Sequence, residues 1–502
     1  MDTTKRVLVV KGIFSPLLIV LALSYSSLSW ASVWSFVPSL SAGLTYTDNV
    51  ELSNNDTDDD LVLDVRPGFS FSKREGRVNV SGQYSLQRTQ HFSDSDRNDT
   101  FHQLSSGMRA ELIRNNFFLN GSVRVNQTLI DTGRGGSSDN ISGTDNITTF
   151  VSYELEPVFE TDIGDNAALR ARYQFGEVLY DSSVDKDDAS DSSQHAYGVV
   201  LSSNNRPRDF TWALGVNEQR TVYDSRSDQK ITTYTTNAGY SLTRRFQVNG
   251  SYGYQKQDND QDNLRDNPDG SFWNVGIGWN PSDVTQISAD YGDRYYGDSY
   301  GLSVFQRHKR NVFTLRYREE QTDTRDQLAA TGDGFICPTN GPASDCRRVD
   351  PSIPIDLQIG PDEGLFGNNS PVASVNDDIF VGKTWELGYI YSFRKSEVSL
   401  NGYRQKRDYQ TVLGSETTLG LSGNYRLNHN ERMRSSLRFS YVKDELLDEL
   451  DNKTYSTRYI YSRSLDQDTT ADISLAYRKR TSNENDSEYT ENRISIGFLR
   501  YF

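Results

Sequence analysis

Few residues in this chain are spaced for catalysis. Its five histidines, His91, His102, His195, His308 and His429, are scattered, and none follows the strand–turn–helix signature that presents a nucleophile beside its base. Nucleophilic work needs groups that converge in space, so no hydrolase or protease activity is expected. Val381-Gly382-Lys383-Thr384 looks like the end of a phosphate-binding loop, but Asp377 stands where the first glycine belongs. Asp258, Asp260, Asp262, Asp266 and Asp269 have the spacing of oxygen ligands in a calcium loop. Asn263 replaces the turn glycine there and Asp269 the bidentate glutamate. A solvated acidic loop is the preferred reading, a weak Ca²⁺ site the alternative, and no other cofactor is expected.

The arginines say more. Arg66, Arg109, Arg124, Arg170, Arg172, Arg316, Arg426, Arg438, Arg458 and Arg478 share one face of alternating segments with Asp64, Glu111, Glu154, Glu156, Asp290, Glu386 and Asp472. One reading is a ladder of cross-strand ion pairs bracing a wall. The other is a charged pore lining with a modest preference for anionic solutes. The first is preferred and the second stays open.

Those faces exist only if the chain is extended. From Ser39 onward apolar and polar residues alternate: Leu61, Leu63, Val65, Pro67, Phe69 and Phe71 on one side, Asp64, Arg66, Gly68 and Ser70 on the other. The same statement recurs in 117–126, 151–159, 169–175, 384–393 and 472–478. Period-two alternation cannot make an amphipathic helix; it fits a sheet with lipid on one side and water on the other.

Connections alternate as well. Short turns, such as those around 73–76, 113–116, 281–283 and 394–396, follow one strand of each pair, and longer acidic loops such as 48–60, 131–146, 181–193 and 258–270 follow the other. Phe71, Phe117, Phe159, Phe246, Trp279 and Phe393 gather beside the short turns as an interfacial girdle would. The expected fold is therefore all-β: a transmembrane antiparallel up-and-down barrel of about 22 strands, in the range 18–24, with periplasmic turns and extracellular acidic loops. The count is ambiguous between Tyr295 and Gln321. Closure is required because an open edge in hydrocarbon leaves unpaired N–H and C=O groups, each costing several kcal/mol.

The ends agree with export. Lys5, Arg6 and Lys11 precede an apolar stretch from Ile13 to Leu23 that is too short to span a bilayer, and Ser29 and Ala31 fit a signal-peptidase site. Residues 1–31 are expected to be a signal peptide and 32–502 the barrel. Ile494, Ile496, Phe498 and the terminal Phe502 lie on one face, as in the signal by which the barrel-insertion machinery recognises its clients. A plug-bearing receptor is not expected, because no plug-sized segment precedes the first strand.

Composition is consistent with this. The hydrophobic fraction is 35%, aromatics are 12%, and no apolar run after the leader reaches spanning length. Removing Lys5, Arg6, Lys11 and Asp2 takes the net charge from −16 to −18. That sign excludes nucleic acid as a natural partner. Outer-membrane lipid is the expected surroundings, and acidic loops such as 56–60 would reach lipopolysaccharide phosphates through divalent ions. Cys337 and Cys346, the only two cysteines, are expected to pair in an oxidising envelope. They lie in a stretch from 322 to 376 that has no alternation. A loop that long is usually functional or disordered; it either enters the channel mouth or decorates the surface.

The opening from Pro38-Ser39-Leu40 to Tyr46-Thr47-Asp48-Asn49-Val50 resembles an outer-membrane barrel family associated with PEP-CTERM/exosortase systems and exopolysaccharide gene clusters. Ile379-Phe380-Val381 to Val398-Ser399-Leu400 is similar to that family's late strands. The likeness covers most of the mature chain and departs at the cysteine-bearing insertion. It implies a barrel that helps export or anchor extracellular polysaccharide, with polysaccharide-export proteins as partners and no assigned catalytic residue. A general diffusion porin and a nonconducting surface scaffold or receptor are the alternatives.

Overall fold

The computed structural model describes residues 34–502 apart from 56, 74–75, 132–135, 138, 182–189, 205–208, 225–226, 260–268, 330–334, 339–346, 349–362, 367–378, 411–413, 448–449 and 484–486. The expected leader, with its cleavage after Ala31, lies outside the described residues.

The alternating segments form strands. In chain order they are β1 (Trp34–Thr47), β2 (Asp60–Lys73), β3 (Val78–His91), β4 (Asp99–Ile113), β5 (Phe117–Leu129), β6 (Ile147–Ile163), β7 (Ala167–Tyr180) and β8 (Ser192–Ser203). Next come β9 (Phe210–Tyr223), β10 (Gln229–Thr243), β11 (Phe246–Asn259), β12 (Gly270–Ser282), β13 (Thr285–Arg294), β14 (Gly297–His308) and β15 (Asn311–Thr322). A six-residue helix, α1 (Thr324–Ala329), opens the long insertion, which holds the short strands β16 (Phe335–Pro338), β17 (Arg347–Arg348) and β18 (Glu363–Phe366). The wall resumes with β19 (Phe380–Ser392), β20 (Ser396–Tyr409), β21 (Ser415–Asn430), β22 (Met433–Glu445), β23 (Asp451–Ser464), β24 (Thr469–Ser482) and β25 (Tyr489–Tyr501).

β16, β17 and β18 make a separate three-stranded sheet, and the remaining 22 strands form one antiparallel sheet. β1 pairs with β2 on one side and with β25 on the other, in register from Ser39 opposite Tyr501 to Thr47 opposite Arg493. The Phe502 amide donates to the Pro38 carbonyl at 2.9 Å, extending that seam. The sheet is a closed ring without an edge, as a β structure in hydrocarbon must be.

The two faces of the wall differ as alternation requires. Outward residues such as Leu214, Val275, Leu437, Ile473 and Leu475 keep 46–51% of their surface open. An apolar belt this extensive has no place on a water-soluble exterior, and lipid is its natural solvent. At the short-turn end outward aromatics pair in register, Phe117 with Phe159 and Phe246 with Trp279, which builds the girdle from cross-strand contacts.

One expectation about the connections fails. β13 and β14 are joined by only Tyr295 and Tyr296, on the side where long acidic loops were expected. That hairpin carries no loop composition, so the alternation runs on through it and the strand count is ambiguous there. Val381-Gly382-Lys383-Thr384 lies inside β19, in register with β15 and β20, and not in a loop before a helix.

Candidate lumenal site

Parity assigns every inward side chain, and the result is a lumen with two chemically different walls. From Ser192 to Ser282, the inward positions of β8, β9, β10, β11 and β12 carry no charge. Asn217, Gln219, Thr233, Thr235, Asn249 and Gln255 are typical of this neutral amide and hydroxyl surface. One of its inward aromatics, Phe272, lies so close over Gly253 that a Cβ there would stand 2.3 Å from the ring, and the Arg294 guanidinium covers the ring at 5.2 Å.

Half-way round the ring of 22, eleven strands from β10, stands β24. Around it the inward positions of β21, β22, β23, β24 and β25 include Arg426, Arg434, Arg438, Arg458, Arg478, Arg480 and Arg493, against Glu416, Asp444, Asp472 and Glu491. Arg434, Arg480 and Arg493 were missed by sequence reading, although the same parity rule would have found them.

The expected ion-pair ladder is present in part. Arg172 pairs across strands with Glu156 at 3.7 Å, Arg170 with Glu160 at 3.4 Å and Arg426 with Glu397 at 3.8 Å, whereas Arg66 pairs with Asp64 along its own strand. Arg316 is in register with Glu386, and Arg109 lies over the Phe118 ring at 4.8 Å. Arg124 is in register with Ser105 and Ser152 on the inward face. Arg438 and Arg458 break the pattern, since they oppose each other.

Two segments from the long-loop end fold into this lumen. The first, 136–137 with 139–146, lies between β5 and β6 in sequence yet docks on β24, β25, β2 and β3 and on Val50 just past β1. Asp139 accepts from Arg493 Nη1 at 2.8 and 3.0 Å, and its backbone carbonyl accepts from Gln87 at 2.8 Å. Asn140 donates to Gln87, Ser142 donates to Glu491 at 2.6 Å, and Arg478 donates to the Gly136 carbonyl at 2.7 Å. Thr47 donates to Glu491, and the Gly143 amide to the Val50 carbonyl. Asn140 and Gly143 make the reversals with left-handed φ of 60° and 62°, a conformation that Asn and Gly tolerate best.

Burial alone would raise the Asp139 carboxyl. The Arg493 charge, hydrogen bonds from Ser137 and Arg493, and the Arg458 charge outweigh it and hold the group down at about 2. Asp139 is therefore an anion that the loop carries into the basic wall.

The second segment leaves β15 at Asp323 and docks against β7, β8 and β9. Asp323 caps α1 by accepting from the Asp326 amide at 2.7 Å, the usual role of an N-cap aspartate. It also accepts from Tyr223 Oη at 2.9 Å. Arg325, only 3% exposed, donates to the Gly176 carbonyl and to Asp326, and Gln194 donates to Asp326. Burial, then the neighbouring Asp326 charge, push the Asp323 carboxyl up to about 7. The long insertion thus begins inside the mouth. Cys337 lies in β16 and Cys346 outside the described residues, so their pairing does too.

The other candidates are dispersed. Asp258 pairs with Lys256 and Asp269 accepts from the Gln257 amide at 2.6 Å, while Asp260 and Asp262 lie outside the described residues. Asp60 is taken up by His91 at 2.7 Å and by the Phe92 and Ser93 amides. His102 and His195 face outward, bonded to Tyr84 and Tyr173. His429 meets Ser435 at 2.7 Å across the β21–β22 hairpin. Ile494, Ile496 and Phe498 lie on the outward face of β25, with Phe502 61% exposed beyond them.

A closed ring with an apolar outside, an aqueous inside and inward-folded loops defines an integral outer-membrane β-barrel. No family model and no curated protein matches the chain. Among solved structures it is similar to the FrpB iron transporter from Neisseria meningitidis (F5-1 variant), at 11% identity and a TM-score of 0.49, covering 94% of this chain and 83% of that one. A ferric enterobactin receptor (PfeA) mutant from Pseudomonas aeruginosa matches at 8% identity and a TM-score of 0.49, over 94% and 81% of the two chains. The outer membrane protein OpdK from Pseudomonas aeruginosa matches at 8% identity and a TM-score of 0.35, over 93% and 99%. These likenesses are of architecture, and none assigns a cargo.

Proposed function

We propose that the barrel is an outer-membrane channel that serves the export of extracellular polysaccharide or its anchoring at the cell surface. The observation that carries this reading is the uncharged wall from β8 to β12. Its Asn, Gln, Thr and Ser side chains offer donors and acceptors to sugar hydroxyls without fixing any one of them tightly. A polymer can exchange hydrogen bonds along such a surface, because passage requires binding weak and repeated enough to let the chain move on. The sequence resemblance to barrels of exopolysaccharide clusters points the same way.

The test pairs two measurements. Deleting the gene should abolish secreted or surface-held polysaccharide, and the purified protein should conduct in planar bilayers. Conductance with unchanged polymer would instead make it a general diffusion porin, a reading that the inward loop 136–146 favours because it would screen solutes by size. Absence of conductance with unchanged polymer would leave a surface scaffold.

A further inference from the structure

Arg438 on β22 and Arg458 on β23 are register partners on the inward face. Directly opposed residues in an antiparallel pair stand about 4.5–5.5 Å apart, and like charges there destabilise the sheet. The basic wall keeps this repulsion, offset on the Arg458 side only through space, by Asp139 and Asp472. Among the described residues Arg438 has neither an ion-pair partner nor a side-chain hydrogen bond, and Arg458 donates only to the Ser474 hydroxyl. Arg426, two strands from Arg458, repels both Arg434 and Arg438.

Space adjoins Arg458, the member of the pair that borders it. A cavity of about 550 Å³ lies between this wall and the inward loop, bounded by Arg458, Arg478 and Arg493, by the acids Asp139 and Glu491, and by Ser440. Its size falls in the range of roughly 300–1,000 Å³ typical of ligand sites. The loop already shows what the wall attracts. It carries the Asp139 carboxylate to Arg493, within electrostatic reach of Arg458.

We propose that Arg438 and Arg458, flanked by Arg426 and Arg434, form an oxyanion-binding rung, and that its ligands are carboxylate- or phosphate-bearing sugar residues. Resting on the conduit reading, this makes the cargo an acidic polysaccharide: the rung engages its charged groups while the neutral wall opposite meets its hydroxyls. Two opposed guanidiniums that make no direct ion pair among the described residues suit this use, because charge-assisted bonds to an oxyanion are about twice as strong as neutral ones.

The test is equilibrium binding to the intact barrel purified from outer membranes. The probes are hexagalacturonate for the carboxylate, maltohexaose as its neutral counterpart, and inorganic phosphate as the free ion. Hexagalacturonate should bind at least about tenfold more tightly than maltohexaose, and phosphate should displace it. The Arg438→Gln/Arg458→Gln double variant should lose that preference, while Arg463→Gln, on the outward face at the short-turn end, should keep it. Heat-modifiable mobility on gels reports whether each variant is folded. Equal binding of the two oligosaccharides, or full hexagalacturonate binding by the double variant, would overturn the rung. Loss of binding in the double variant, together with unchanged polymer secretion on gene deletion, would uphold the rung and overturn the conduit.

Discussion

Arg493 holds Asp139 across 354 residues of sequence, both carboxylate oxygens lying within 3.0 Å of one guanidinium nitrogen. The pair latches a loop from β5 onto the closing strand of the barrel. Removing Arg493 takes away the only direct ion-pair partner of Asp139 among the described residues, whereas removing Asp139 leaves Arg493 with Glu491 at 2.6 Å. Asp139 keeps 29% of its side chain open to solvent, so the loss is moderated by screening to about 1–3 kcal/mol of docking energy. Asp139→Asn or Arg493→Gln should raise single-channel conductance and speed amide exchange at Ile141 and Ser142. Unchanged exchange at both amides would mean the pair does not hold the loop.

The same latch has an acid limit. The Asp139 carboxyl is lowered from its ordinary 3.8 to about 2 in the docked state. A depressed acid stabilises the docked state above its free value and loses that contribution as pH falls through the docked one. Docking should therefore be constant from pH 8 to about pH 4 and fail toward pH 2, read as conductance against pH.

Asp323 titrates in the opposite sense. Its carboxyl is raised from 3.8 to about 7 by burial and by Asp326. The docked segment then binds more protons than the free one between those values, so its docking is strongest below about pH 4. Docking weakens as pH rises to about 7 and levels off above that. Hydrogen exchange at the amides of 324–327 should quicken across that window. Asp323→Asn keeps an N-cap acceptor and should flatten the response; an unaltered pH profile in that variant would exclude Asp323 as its source.

The two faces should respond differently to charge. Leu475, half exposed on the outward face of β24, should not tolerate Leu475→Lys, which is expected to cost about 2–4 kcal/mol near the bilayer midplane. Asn237→Lys, on the inward face of β10, should be nearly neutral. Urea unfolding midpoints of the two variants in lipid vesicles make the comparison, and equal losses would argue against the assigned faces.

Much of this was legible in the sequence, because a strand has period two and a misplaced face would bring every apolar residue into water. The strand faces, the short-turn girdle and the count of about 22 follow from that rule. The Tyr295–Tyr296 hairpin was not legible, since a two-residue turn of aromatic residues does not interrupt alternation. Nor was the docking of 139–146. Its Asp, Ser, Gly and Asn residues read as a long extracellular loop, and nothing local distinguishes Asp139 from other loop aspartates. Its partner lies on the final strand, close in space only because the ring closes. Arg325 was hidden in the same way, as its acceptor is a backbone carbonyl of β7.

The most direct test of the account is a cysteine scan along β10 from Thr233 to Ala238, with Cys337 and Cys346 replaced by serine, probed in intact outer membranes with a charged thiol reagent. Labelling at 233, 235 and 237, with protection at 234, 236 and 238, is the expected result: water inside the ring and lipid outside it. Uniform labelling, or the inverse alternation, would contradict it.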